Sequence, residues 1–364
     1  MAARYWVGGA GAVWNATVGT KWATTSGGAG GASVPTAADD VFFDANSTAN
    51  ATTAGTIACR SLNFTGYAKT FTLVGTATLN IGDATAGAGN VALKIVSGMT
   101  FSANNASATI NFASTSATQQ TVDTQNSPIY VMNFNGVGGS WILNSALSST
   151  SMGVYAGTLN TNNYNVTASG PFTTASAFPR TLTLGTTTLS CYSADFTMTN
   201  GGTLNSSSAT LTLNGIVDAT HALAGSTWNR CNMVSMHFGS TSRTQIITGA
   251  NTFGSLYIYP YLTNTNTITW KFPASTTQTV TGTFSVVGAS GDLQILASSS
   301  AGTTATIKCN TPPAFQHDYA SVTDIAFTGE AKQFFTNSTD GGGNRNVWFN
   351  VIMPARASLL GCGV

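Results

Sequence analysis

Short runs of alternating apolar and polar residues recur along this chain and set what it can fold into. Thr70-Phe71-Thr72-Leu73-Val74, Ala77-Thr78-Leu79-Asn80-Ile81 and Ala108-Thr109-Ile110-Asn111-Phe112 alternate in this way. So do Arg180-Thr181-Leu182-Thr183-Leu184, Ala209-Thr210-Leu211-Thr212-Leu213-Asn214, Asn266-Thr267-Ile268-Thr269-Trp270 and Ala305-Thr306-Ile307-Lys308-Cys309. Successive side chains of a strand point to opposite faces, so a period of two is the pattern of a half-buried β-strand. Thr dominates the polar positions, and its branched Cβ suits a pleated surface. Between the runs stand Asn135-Gly136, Asn200-Gly201-Gly202, Asn214-Gly215 and Asp340-Gly341-Gly342-Gly343, which is turn chemistry. No helical stripe of useful length appears. The expected fold class is all-β.

Two all-β architectures fit short strands. A β-sandwich places turn signals every 8–12 residues or so. A β-solenoid, or parallel β-helix, stacks rungs of roughly 20–25 residues, each burying its inward side chains against the next. From Val131 to Gly215 the chain reads as strand, turn, strand without a long loop. Gly139-Ser140-Trp141-Ile142-Leu143 is followed by Gly157-Thr158-Leu159-Asn160, Tyr164-Asn165-Val166-Thr167, Thr181 to Leu184 and Thr187 to Ser190. That texture favours the solenoid, with β-sandwich domains as the alternative.

Composition narrows the partners. Only 7% of the residues are charged and the net charge is +1, yet 42% are hydrophobic and 10% aromatic. Disorder combines low hydrophobicity with high net charge, the opposite balance. The polar surface must therefore be hydroxyl and amide. Clustered Lys and Arg, which nucleic acids and anionic membranes require, are missing, so neither is an expected partner. No run of about 18 apolar residues indicates a membrane-spanning helix. The stretch Met1 to Gly11 lacks a basic segment followed by an apolar one, so no secretory leader is expected. A surface-type composition without a leader leaves two explanations: release by lysis as part of a larger particle, or removal of the leader.

Three regions differ in texture. Residues 1–58 hold Trp6, Trp14 and Trp22, a Gly/Ala/Ser stretch from Ser26 to Ser33, and Val34-Pro35; they suggest an attachment or capping segment. Residues 59–310 form a strand-rich body. Residues 311–364 begin near Pro312-Pro313, include Phe334-Phe335 and Trp348-Phe349, and end in a tail from Met353 without alternation. A solenoid needs ends that block edge-to-edge pairing, which gives both terminal segments a capping role.

The two ends also carry a resemblance. Arg4-Tyr5-Trp6-Val7-Gly8-Gly9, with Trp14, Trp22, Ser26-Gly27-Gly28, Val34-Pro35 and Asp39-Asp40-Val41, is similar to the start of a family of tailed-bacteriophage structural proteins. Asp318-Tyr319, Asp324-Ile325, Asn337-Ser338-Thr339-Asp340-Gly341-Gly342, Asn344 and Trp348-Phe349 resemble the same family near its end. The family's pattern has Gly before that Trp, where this chain has Asn346-Val347. The resemblance implies a virion component of the β-helical type: a tail fibre, a tail-associated protein, or a capsid fibre or decoration. It further implies other virion proteins as partners, a trimeric assembly, and a host-surface glycan as a possible target.

The chemistry-bearing residues point away from an enzyme. Glycoside hydrolysis, the activity of phage tailspikes, uses two carboxylates a few ångströms apart. The densest acidic group is Asp39, Asp40 and Asp44, in a loop-like stretch that reads more simply as Asx-turn chemistry. Asp318 and Asp324 with His317 form a second group, where a structural hydrogen bond is the simpler reading. His221, His237 and His317 lie outside any metal-ligand spacing, although Cys231 and His237 are six apart. Cys59, Cys191, Cys231, Cys309 and Cys362 are scattered and read as small core residues. A calcium loop at Asp39–Asp44 would need a regular alternation of ligands that is not there. Gly8-Gly9-Ala10-Gly11 lacks the strand-to-helix context of a dinucleotide site. The N-x-[S/T] triplets at Asn15, Asn46, Asn50, Asn63, Asn105, Asn165, Asn205 and Asn337 follow from composition. Trp141, Trp228 and Trp270 read as core residues, with sugar stacking as the alternative.

No catalytic, cofactor or metal residues are therefore expected. The expected function is non-enzymatic, in virion assembly or host attachment, with a glycan-cleaving tailspike and a bacterial surface adhesin as alternatives.

Overall fold

A computed structural model describes residues 2–15, 19–103, 107–192, 195–198, 202–236, 242–261, 268–311, 317–329 and 332–350. About half of the chain is strand and very little is helix, and the strands wind into a β-solenoid of about 12 turns. The sandwich alternative is set aside by the pairing. Sequence-distant strands lie side by side in parallel, whereas a sandwich is built from antiparallel ones.

The N-terminal coils show the construction most plainly, with three short strands in each. Asp40–Phe42, Ala51–Thr53 and Thr56–Cys59 are followed by Ser61–Asn63, Thr70–Thr72 and Thr78–Ile81, then by Val91–Lys94, Thr100–Ser102 and Thr109–Phe112. Each strand hydrogen-bonds to its counterpart one coil later, as in Val41↔Leu62 and Ile57↔Leu79. In the middle of the chain Trp141 pairs with Leu159, Leu159 with Leu182, and Leu182 with Leu204, steps of 18, 23 and 22 residues. Farther on, Gln245↔Trp270, Trp270↔Leu296 and Leu296↔Val322 advance by 25, 26 and 26. Irregular rung length is why no sharp repeat appears in the sequence: turns between strands absorb extra residues while the strands stay in register.

The core is a set of stacks along the rod. Inward positions repeat coil after coil, as in Leu79–Ile110–Met132–Met152–Phe172–Phe196, and all six are buried. Aromatic rings in register stack face to face. Phe112 and Phe134 lie 4.7 Å apart with 10° between their planes, and Phe172 and Phe196 lie 5.2 Å apart at 13°. The spacing follows the inter-strand distance of about 4.8 Å, at which stacked rings exclude water from both faces.

The outward positions stack by the same rule. Thr78 pairs with Thr109, Thr158 with Thr181 and Thr181 with Thr203. Asn80, Asn111 and Asn133 form an amide ladder: Asn111 Nδ2 donates to Asn80 Oδ1 at 2.9 Å and Asn133 Nδ2 donates to Asn111 Oδ1 at 3.0 Å.

The first coil is closed differently. Ala3–Trp6 joins the parallel ladder through Arg4↔Val41, but on its other edge it pairs antiparallel with Trp22–Ala23. Trp6, Trp14 and Trp22 are fully buried in edge-to-face contact, 5.0 Å between Trp6 and Trp22 and 5.1 Å between Trp14 and Trp22. They pack onto Phe43, which stacks in turn on Phe64. This aromatic cluster covers the N-terminal side of the first coil's core. Pro312-Pro313, the Asn200-Gly201 turn, Asn266-Thr267 and the tail from Met353 lie outside the described residues.

One turn shows how tightly adjacent coils approach. Gly157 has φ +74°, and a Cβ there would sit 2.5 Å from the Gly139 carbonyl oxygen and 2.6 Å from that of Gly136. Both the left-handed backbone and the contact exclude a side chain. Gly157→Ala is expected to lower stability by about 2 kcal/mol, measured by chemical denaturation. Phe134→Ala, which removes a stacked ring from the core, should cost about 3–5 kcal/mol in the same assay.

Candidate functional site

The sequence singles out two acidic groups, and the structure accounts for both by hydrogen bonding. Asp39 and Asp40 are buried. Asp39 Oδ2 accepts from the Thr36 amide and hydroxyl, and Oδ1 from the Ala2 amide. Asp40 holds Arg60 in a two-point ion pair: Arg60 Nε donates to Oδ1 at 2.9 Å and Nη2 donates to Oδ2. The Ser61 hydroxyl and the Ala88 amide also donate to Asp40 Oδ1. Burial pushes the Asp40 carboxyl up, but the bonds from Arg60, Ser61 and Ala88 outweigh it and hold the group below its ordinary range. Asp44 Oδ1 accepts from the Asn46 amide, an Asx turn. This cluster ties the first coils together, and Asp40 is committed to Arg60.

The second group is likewise structural. Asp318 Oδ1 accepts from Thr336 Oγ1, Asn337 Nδ2 and the Tyr319 amide. Asp324 Oδ2 accepts from the Gly302 amide at 2.7 Å. These bonds pin turns of one coil to the next.

The histidines reveal an arrangement that the sequence did not signal. His221 and His317 are both buried. The Phe196 amide donates to His221 Nδ1 at 3.4 Å, and His221 Nε2 meets Gln245 Oε1 at 2.8 Å. The Val286 amide donates to His317 Nδ1 at 3.2 Å, and His317 Nε2 meets Gln333 Oε1 at 2.7 Å. With Nδ1 accepting, the proton sits on Nε2, which donates to the glutamine. In each case the glutamine lies on the next coil, two residues before the strand partner of the histidine, Ile247 or Phe335. The separations of 24 and 16 residues hide this equivalence from any linear motif.

Burial lowers both imidazoles to about 4, and the glutamine bonds only partly offset it. With both ring nitrogens hydrogen-bonded inside the core, neither imidazole has a lone pair free for a metal ion, and a ring held neutral by burial is not an imidazolium acid near neutrality. Among the described residues no three His, Cys, Asp or Glu side chains gather as a metal site would require. His237 and Cys362 lie outside the described residues, as do Asn105 and Glu330. Cys59, Cys191, Cys231 and Cys309 are buried free thiols in core positions. Desolvation raises all four, Cys309 to about 12, which suppresses the reactive thiolate. Trp141, Trp228 and Trp270 are fully buried and fill the core.

Two clefts among the described residues are small. A cleft of about 230 Å³ near the N-terminal end is lined by Trp14, Val34, Pro35, Thr36, Thr56, Ile57 and Ala58, and one of about 160 Å³ by Gly138, Gly157, Thr158, Pro179, Arg180 and Thr181. Pockets for drug-sized ligands run from about 300 Å³ upward. The outward face of one long strand carries a distinctive row of side chains. There the strand Thr252–Pro260 and the next residue place Tyr257, Tyr259 and Tyr261 outward in alternation, with Tyr261 57% exposed. The signal was present in the sequence as Tyr257-Ile258-Tyr259-Pro260-Tyr261.

No protein family, curated protein or solved structure matches this chain. No helix among the described residues is long and apolar enough to cross a membrane.

The histidine pairs generate a pH prediction. Above pH ~6.5 both folded and unfolded imidazoles are neutral and the full stability is present. As pH falls from about 6.5 to about 4, the unfolded chain takes up protons that the folded chain refuses. Each pair should then lose up to about 3 kcal/mol of stability. The expected result is a melting temperature that falls through this window. Asp40, lowered by Arg60, should add a further loss only below about pH 4.

Proposed function

We propose that this chain is a non-enzymatic structural and adhesive rod of a tailed-bacteriophage virion, serving as a tail fibre, tail-associated protein, or capsid fibre or decoration. The observation that carries the reading is the stacked outer surface of Thr and Asn side chains on a continuous parallel solenoid. About 12 turns at ~4.8 Å per turn give a rod of about 55–60 Å. Backbone ladders running along the axis resist both bending and extension. A neutral hydroxyl and amide surface suits weak, repeated contact with polar host-surface chains and resists nonspecific adsorption.

The virion placement, other virion proteins as partners, and assembly as a homotrimer all rest on the resemblance of the two ends to tailed-phage structural proteins. The tailspike alternative has less support. Hydrolysis needs a pair of carboxylates free to protonate and attack, whereas Asp40 is clamped by Arg60 and Asp39 is bound into the turn at Thr36.

Light scattering of the purified protein tests the assembly. A mass near three times 37.3 kDa is expected, and a clean monomer would remove the trimer. An antibody to the chain, applied to purified phage particles, tests the location: labelling of intact particles is expected, and labelling confined to the host-cell surface would favour the adhesin alternative.

A further inference from the structure

We infer that the tyrosine row of the strand Thr252–Pro260 is a binding platform for a saccharide that carries an acidic sugar. This rests on the reading of the chain as an adhesive rod and names what it adheres to.

Tyr257, Tyr259 and Tyr261 occupy alternate outward positions. At ~6.8 Å between alternate residues of a strand, the row spans about 14 Å across the rod. Elsewhere the outward positions of the strands are filled largely by Thr, Ser and Asn, so three aromatic side chains in succession stand apart from the pattern. The neighbours fix their character. Asn232 on the preceding coil and Ser285 on the following coil both pair with Tyr257. Arg230 pairs with Ser255 on the same face. Its guanidinium lies over the Tyr257 ring, 4.2 Å from the centroid, and its Nε donates to Asn232 Oδ1 at 2.8 Å. The guanidinium is thereby fixed in orientation while Arg230 remains exposed.

Three properties of this face select the occupant. Aromatic rings bearing hydroxyls offer apolar area to the C–H face of a pyranose and hydrogen bonds at its edge. The oriented Arg230 supplies a planar double donor matched to a carboxylate. The strand neighbours Asn232, Ser255 and Ser285 are uncharged and add no repulsion toward an anion at Arg230. A second copy of the chain fits less well. A stable protein interface buries about 800 Å² on each partner, whereas the aromatic side chains are confined to one strand, beside Asn232, Val234 and Ser285 on the adjoining coils.

A printed array of defined acidic and neutral oligosaccharides, probed with the full chain, tests the assignment. The expected result is retention on saccharides containing a uronic or other carboxylated sugar, weakening as salt rises. A Tyr259→Ala/Tyr261→Ala variant should lose about tenfold in affinity, the scale of a lost aromatic contact. Arg230→Gln should lose preference for the acidic members and most of the salt dependence. Tyr261→Ser, at the most exposed of the three positions, gives a readout even if the double variant fails to fold.

Retention of no saccharide, or equal retention by wild type and all three variants, overturns the inference. So does a fall in oligomer mass in the tyrosine variants, which would make the row a contact between copies. Light scattering and particle labelling are read on the same preparations. A rod that keeps its mass and its place on the particle but binds no saccharide therefore defeats this inference alone.

Discussion

Everything in this molecule is subordinate to the parallel backbone ladder that joins each coil to the next. Once the strands hydrogen-bond in register, every side chain has a counterpart about 4.8 Å above and below it. A position tolerates only residues that can live beside copies of their own kind. Apolar residues do so inside, as Phe112 and Phe134 show, and Thr and Asn do so outside, as the Asn80–Asn111–Asn133 ladder shows. Like charges directly opposite each other across a ladder repel. The low charge of the sequence is thus a consequence of the architecture as much as a statement about partners.

The same constraint explains why the fold was legible and the repeat was not. Alternation survives in each short strand because the ladder demands it, so Thr78–Ile81 and Thr109–Phe112 announce themselves in the sequence. The turns answer to no such demand. Leu62 pairs with Leu93, 31 residues on, while Trp141 pairs with Leu159 after only 18. Register is conserved in space and lost in sequence number. Asp39 and Asp44 were readable as turn residues because Thr36 and Asn46, which they bond, lie close in sequence. The Asp40–Arg60 pair was not, because its partner arrives one coil later.

Candidate chemistry reads differently inside such a rod. The indole rings of Trp141, Trp228 and Trp270 read as packing residues with sugar stacking as the alternative, and the inward phase of their strands bears out packing. The outward phase of Tyr257 and Tyr259 leaves their rings at the surface instead of in the core. The distinction is one residue of register, since a shift of one exchanges the two faces of a strand. Knowing which residues of a strand face out is therefore worth more here than knowing which residues are aromatic.

The buried histidines show how far the ladder reaches into side-chain chemistry. A polar ring in a dry core must find partners for both nitrogens or leave one unsatisfied at a cost of about 1–3 kcal/mol. Within one coil the neighbours point away, to the opposite face. Along the axis they are close, so both His221 and His317 take a backbone N–H from the coil before and a glutamine oxygen from the coil after. That two sites nearly a hundred residues apart arrive at one solution needs no shared motif. The stacking offers partners in only two directions, and a histidine that uses both of them lands on this geometry.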